Sequence, residues 1–523
     1  MPRRPKAKNT LSAGERAALY EAELAEKQRR MRELSDDKSV QGKNADRSIK
    51  ADRVENVDLE TVEQAKAPAK EKKVLPKPQV AVVRVDFSIP DGEIKPMHGM
   101  CNGPVSYGAD ITGSFREIGV PFVRFDATDS AVSAYAVDVS RIFKNFDADP
   151  SDAENYDFAT TDKYVEAAVL CGSRIIYRIG ESRDLLGGVS TVRRAEPDVL
   201  ARVCVNIIRH YNDRWANGYS FGIDLFELWN VDLEGDGEED FETYRGLANA
   251  VKLYDENIKV GGLSFAGFGD RARDFLRFCK RARVPLDFIT VDCFEGDPHK
   301  AFAEAESFLL QMRRLGFVDT ELIIGKWSYI DHKALGENKL SRVLSGSERY
   351  ASVKRQMFEA QREVEGAAYA AAFMLEMARL DGVSRGCCYD AQPIVSPFCA
   401  ITDDFGEPRK PLYVFKTFGE LYRAKRAVFC EVDEPEGVAH SGIFARAAVS
   451  DTGECFVMLA SFDGVGSVDL RLDGISENLY TADIYMLDGV KNMERCDSIP
   501  VSGMKKRLVL NVSGYGALMI KLY

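Results

Sequence analysis

Histidine is scarce: five in 523 residues. A His-rich metal centre is therefore not expected. The 11 cysteines are scattered, and none forms a Cys-x-x-Cys pair. With no secretory leader, such a set reads as reduced, buried thiols in a cytoplasmic protein. The opening residues, MPRRPKAKNTLSAGERAALYEAELAEKQRR, start basic but lack the apolar stretch of a leader. No apolar run approaches the ~20 residues that a membrane helix needs. Basic charge is in deficit, with 70 Lys and Arg against 82 Asp and Glu, a net charge of -12. That balance argues against a nucleic-acid partner and gives no reason to expect a membrane surface. No cofactor is expected either. What is present is apolar mass: 45% hydrophobic and 10% aromatic residues, enough for a large core and more than one domain.

The composition divides the chain into three parts. Residues 1–78 carry few aromatics and much charge, 18 Lys and Arg against 14 Asp and Glu up to residue 75. Gly14–Leu34 has a thin apolar stripe (Ala17, Leu19, Leu24, Met31) on a charged helix. SDDKSVQGKNADRSIKADR lacks the apolar surface to order itself, and APAKEKKVLPKP reads as a linker. A solvated, disordered tail is one reading; a docking helix for a protein partner is the other.

From residue 79 to 424, short apolar runs alternate with helical stretches. The runs are MHGMCNG (97–103), VPFVRFD (120–126), RIIYRIG (174–180), IDLFELWN (223–230), IKVGGL (258–263), PLDFITVD (285–292), ELIIGKW (321–327) and SRGCCYD (384–390). Eight strand–helix repeats predict an α/β fold, a (β/α)8 TIM barrel. A doubly wound sheet rarely uses eight repeats, and no G-x-G-x-x-G follows the first strand. Residues 425–523 lose the helical period. Short β-rich runs such as GIFARAAVS, ECFVMLASF and GALMIKLY, separated by Gly, Asp, Asn and Ser, predict a C-terminal antiparallel β-sandwich.

In such barrels the chemistry sits where the strands end. Those ends carry Arg124 and Asp126, Arg178 and Glu181, Trp229, Asn230 and Asp232, Asp292 and Phe294, Lys326 and Trp327, and Tyr389 and Asp390. Aromatic faces beside carboxylate, Asn and Arg groups suit a sugar ring, stacking on its C–H face and bonding its hydroxyls. Arg124, Trp229, Asn230, Asp292, Lys326 and Trp327 are the candidate substrate-binding residues. The acidic run GDGEEDFE (235–242) lacks the spacing of a calcium loop and reads as a helix start. Cys387 and Cys388, adjacent on one strand, should point to opposite faces as packing thiols.

The segment LFELWNVDLEGDGEEDFETYRGLANAVKLYDENIKVGG resembles the fourth-strand region of glycoside hydrolase family 39, the β-xylosidase and α-iduronidase family, where W-N-E-P precedes a helix and K-V-G-G. GVPFVRFD, ENYDFATTDKYVEAAVLCG, FLRFCKRARVPLDFITVDCF and EPRKPLYVFKTFGEL are similar to further family segments, so the likeness covers about 97–424. It implies a barrel and sandwich that hydrolyse glycosides with retention. That chemistry uses two carboxyls about 5–5.5 Å apart, one as acid/base and one as nucleophile.

Here the resemblance places Val231 at the acid/base position and Lys326 at the nucleophile position, while Asp292 and Phe294 replace the family's His and Tyr. An isopropyl group moves no proton, and an ammonium does not attack a cationic carbon. The leading reading is a saccharide-type cleft without retaining hydrolysis, in a carbohydrate-binding or scaffold role: a pseudoenzyme. The alternative is an active, β-xylosidase-like hydrolase with relocated carboxylates, the candidates being Asp232, Glu234, Asp292 and Asp331, with Glu295 nearby. A Schiff base at Lys326 is a third reading, but Asp292 beside it favours the charged ammonium. Lys326 and Asp292, on neighbouring strands, are expected to pair.

Overall fold

The computed structural model describes residues 80–523, apart from 107, 126–136, 182–194, 230–236, 345–346, 436–439, 465, 476–479, 503–505 and 513. The charged tail and its helix at Gly14–Leu34 lie outside the described residues. So do Asp126, Asn230, Val231, Asp232 and Glu234.

Eight parallel strands close into a barrel: Gly99–Cys101, Phe122–Phe125, Arg174–Ile179, Leu225–Leu228, Lys259–Phe265, Phe288–Glu295, Glu321–Tyr329 and Val383–Cys388. Each pairs with its sequence neighbours, and the eighth closes on the first. All eight fall within the expected runs or overlap them. The strands are buried on both faces, which is why they read as continuous apolar runs. The helices outside carry one apolar stripe each. In Pro197–Asp213 the apolar part of the buried set is Leu200, Val203, Cys204, Ile207, Ile208 and Tyr211, joined by Asn206 and His210, with proline at the first turn.

Inside the barrel, Cys101, Phe122, Ile176, Leu225, Phe288, Ile323 and Cys387 form an apolar plug. Cys388 faces the other way, into the layer under the helices, and all 11 cysteines are free thiols. Below the plug, at the N-terminal ends of the strands, charged side chains close the barrel. Arg174 pairs with Asp224 at 2.6 Å. Glu321 takes both Lys259 and Arg385. The Arg174 and Arg385 guanidinium carbons lie 5.0 and 4.8 Å from the centre of the Phe122 ring.

The second layer is a nine-stranded sheet folded around its own core, in which Val83, Leu470, Val457 and Ile520 share one cluster. Two features differ from the sequence expectation. The strand Val80–Glu93, placed within the barrel segment by a boundary at residue 79, belongs to this sheet, between Arg426–Asp433 and Ser467–Asp473. Its pairing with Ser467–Asp473 is parallel; the other seven pairings are antiparallel. The strand alternates buried Ala81, Val83 and Val85 with more exposed Val80 and Arg84, as a sheet with one covered face requires. The helix Val364–Met377 buries eleven of its fourteen residues. It lies between the layers, so that Tyr369 and Phe373 share a core with Met458 and Met519 of the sheet.

Candidate functional site

The mouth is built on alternation along the strands, where every second side chain faces inward. On the second strand Phe122 joins the plug and Arg124 stands above it. On the fourth, Leu225 joins the plug and Glu227 stands above it. Arg124 and Glu227 are both wholly buried. The guanidinium donates to the two carboxylate oxygens at 2.9 and 2.6 Å and to Ser264 Oγ at 2.9 Å. Two charges in so dry a place persist because the planar fork satisfies both oxygens.

One layer higher, the seventh strand holds an extra residue: Ile324 lies opposite Val291, yet Lys326 lies opposite Asp292. The bulge falls at Gly325. A Cβ there would stand 2.2 Å from Thr290 Cγ2, 3.3 Å from Asp292 Oδ1 and 3.4 Å from Arg124 Cζ. Only glycine lets the strand pass so close. Lys326 Nζ is 3.7 Å from Asp292 Oδ2 and 5.2 Å from the centre of the Tyr389 ring. The expected ion pair is present. Tyr389 is backed by Phe294 and Phe398, with ring centres 5.9 and 5.2 Å away, giving an aromatic wall beside the ammonium.

Two further clusters lie at the strand ends. Arg178 donates to Asp138 at 3.2 Å and to the Glu181 carbonyl at 2.9 Å. The Glu181 carboxyl accepts from the Ser140 N–H and hydroxyl, both at 2.7 Å. Burial, and then the adjacent Asp138 charge, push the Glu181 carboxyl up to about 7. Across the mouth Asn102 donates to Asp390 at 3.2 Å. Among the described residues, no three His, Cys, Asp or Glu side chains converge as metal ligands.

The structure redistributes the sequence candidates. Lys326 and Asp292 meet at the mouth. Arg124 is locked in the layer beneath. Trp327 faces outward, stacked on Phe373 and Phe415 with ring centres 4.5 and 5.6 Å away. The sequence reading counted both Lys326 and Trp327 as lining, but neighbours on a strand face opposite sides. Trp229 is 3% exposed within the core, its indole N–H bonded to Asp240 at 3.0 Å; its ring is not offered for stacking. Asp331 is a helix cap, accepting from the Lys333 and Ala334 N–H groups at 2.9 and 3.2 Å. Glu295 points away from the barrel axis and takes His332 at 2.5 Å and Lys300. Asn230, Asp232 and Glu234 lie outside the described residues. Sequence reasoning missed Glu227 and Ser264. The available signal was a carboxylate enclosed by apolar residues in LFELW (225–229), which needs a buried cation as partner.

A closed eight-stranded barrel carrying a sandwich, with its polar residues gathered at the strand ends, has the fold of glycoside hydrolases. A glucosidase from Croceicoccus marinus superposes with a TM-score of 0.66 at 20% identity, covering 85% of this chain and 99% of that one. A monomeric beta-xylosidase from Caulobacter crescentus CB15 gives 0.57 at 14% identity, covering 84% and 99%. The GH39 enzyme from Xanthomonas axonopodis pv. citri gives 0.55 at 13%, covering 87% and 99%. In sequence, the model of Glycosyl hydrolases family 39 matches residues 201–312, from the helix before the fourth strand to the helix after the sixth. The beta-xylosidase of Geobacillus stearothermophilus is 27% identical over 181 residues, 30% of this chain. That match spans only 35% of the relative's length. Over residues 201–312 the chain is thus similar to glycosyl hydrolase family 39. Among the described residues no helix is long and apolar enough to cross a membrane.

Proposed function

We propose that the barrel mouth is a saccharide-binding cleft that does not carry out retaining glycoside hydrolysis. The Lys326–Asp292 pair carries this reading. A cation held 3.7 Å from a carboxylate occupies the strand end where the resemblance places a nucleophile, and each charge satisfies the other. An ammonium there repels the oxocarbenium character of the transition state, and Asp292 is engaged in pairing. The Tyr389 face, the Asp292 carboxylate and the ammonium remain suited to a sugar's C–H face and hydroxyls.

Aryl β-xylosides and related aryl glycosides should be turned over no faster than by heat-denatured protein, and a glycan array should show saccharide capture. Turnover abolished by Asp232→Asn would overturn the first half. An array with no bound glycan would overturn the second. One observation favours the active alternative: a Glu181 carboxyl held near 7 is in the state a general acid needs at neutral pH. On that reading turnover falls above pH 7 and is lost in Glu181→Gln.

A further inference from the structure

Three of the five histidines gather at one corner of the molecule, where the helix Pro298–Arg314 meets the sandwich. His332 has a carboxylate partner, Glu295. His299 does not. Its half-buried ring projects from the first turn of the helix onto two sandwich residues. His440 stacks on it at 4.0 Å with 21° between planes, and Phe444 lies 4.6 Å away. Among the described residues, the buried Nε2 of His299 has no hydrogen-bond partner. A neutral imidazole tolerates that slot. An imidazolium would bury an N–H with no acceptor and would face a second imidazole.

We propose that His299, stacked on His440, forms a proton-sensitive joint between barrel and sandwich, closed while the His299 ring is neutral and loosened when it takes up a proton. On the helix, Asp297 caps the His299 N–H at 2.9 Å and Lys300 is engaged by Glu295. On the sandwich, Glu434 accepts from the N–H of Ser441, the residue after His440, at 2.6 Å. From the inner helix come the neutral phenol of Tyr369 and the Glu376 carboxyl, which feels Glu434 and whose pKa burial raises. Asp297 and Glu434 favour the charged form, but burial, followed by His440, outweighs them and lowers the His299 pKa below 6.5. A histidine lowered in the folded state contributes stability above its unfolded pKa, and that stability is lost as pH falls below it. The joint therefore holds at neutral pH and weakens as the solution is acidified through about 6.5.

The test is hydrogen–deuterium exchange on the full chain at pH 7.5 and 5.5, corrected for the intrinsic rate. Segment 434–444 should exchange several-fold faster at pH 5.5, while the helix Glu238–Tyr254, remote from the joint, should not change. His440→Phe keeps a ring in the stack but removes the imidazole that helps lower the His299 pKa, and should reduce that acceleration. His299→Phe should abolish it, and if that variant fails to fold, His440→Phe carries the test. Equal acceleration in wild type and His440→Phe, no acceleration in wild type, or a His299 imidazole resonance titrating at or above 6.5 would each overturn the joint.

Discussion

The two ends of the barrel are both closed by ion pairs, but in different solvents. At the base, Arg174 and Asp224 pair with side chains 58% and 46% exposed. At the mouth, Arg124 and Glu227 pair with no exposure, and Lys326 and Asp292 with 18% and 7%. Water can take over either partner of Arg174–Asp224, so that pair adds little and constrains little; Arg385 and Glu321 at the same end are drier, 11% and 22% exposed. In the dry layer neither charge survives alone. The mouth can change only by paired exchange, and a basic residue at the seventh strand end calls for an acid on the sixth.

This contrast can be broken at four places. Glu227→Gln should have the largest effect, a loss of about 3–5 kcal/mol in denaturant unfolding, because it strands a buried guanidinium. A cost near that of a surface change would remove the distinction between the two ends. Lys326→Met and Asp292→Asn should each cost less, about 1–3 kcal/mol, since water reaches the ammonium. The double variant should cost less than their sum, and additivity would show that the two side chains do not interact. Next comes Glu181. Its folded pKa is raised from 4.5 to about 7, so its contribution to stability is full below 4.5 and declines as pH rises through 7. Melting curves should show this decline between pH 4.5 and pH 7 and level off above it, and Glu181→Gln should flatten it. Smallest is Arg174→Ala at the base, about 0.2–1 kcal/mol, and it should vanish in about 1 M salt, where the Debye length is near 3 Å.

The barrel was legible because buried parallel strands and amphipathic helices write different periods into the chain. The sandwich was legible except at Val80–Glu93 and Asn492–Val501. The first alternates clearly but stands on the far side of the barrel from its partners, where chain order misleads. The second, NMERCDSIPV, is a mostly exposed edge strand with a proline and little apolar alternation. The site was legible as a set of strand ends but not in its facing. Gly325 adds one residue to the seventh strand, and no local period announces a bulge. Glu227 and Arg124 are 103 residues apart, so their pairing becomes visible only when the second and fourth strands share a barrel.

Because Val80–Glu93 pairs with Arg426–Asp433, the polypeptide enters and leaves the barrel through the sandwich. On a ribosome adding roughly 5–20 residues per second, the first strand emerges tens of seconds before any strand that flanks it. Through that interval its apolar side, Ala81, Val83 and Val85, has no sheet to join. The barrel must complete its circuit before the sandwich can begin, and a nascent chain arrested near residue 424 would present a finished barrel beside an orphan strand. Chaperone engagement should therefore fall on the earliest β-strand of the described chain rather than on the barrel that follows it.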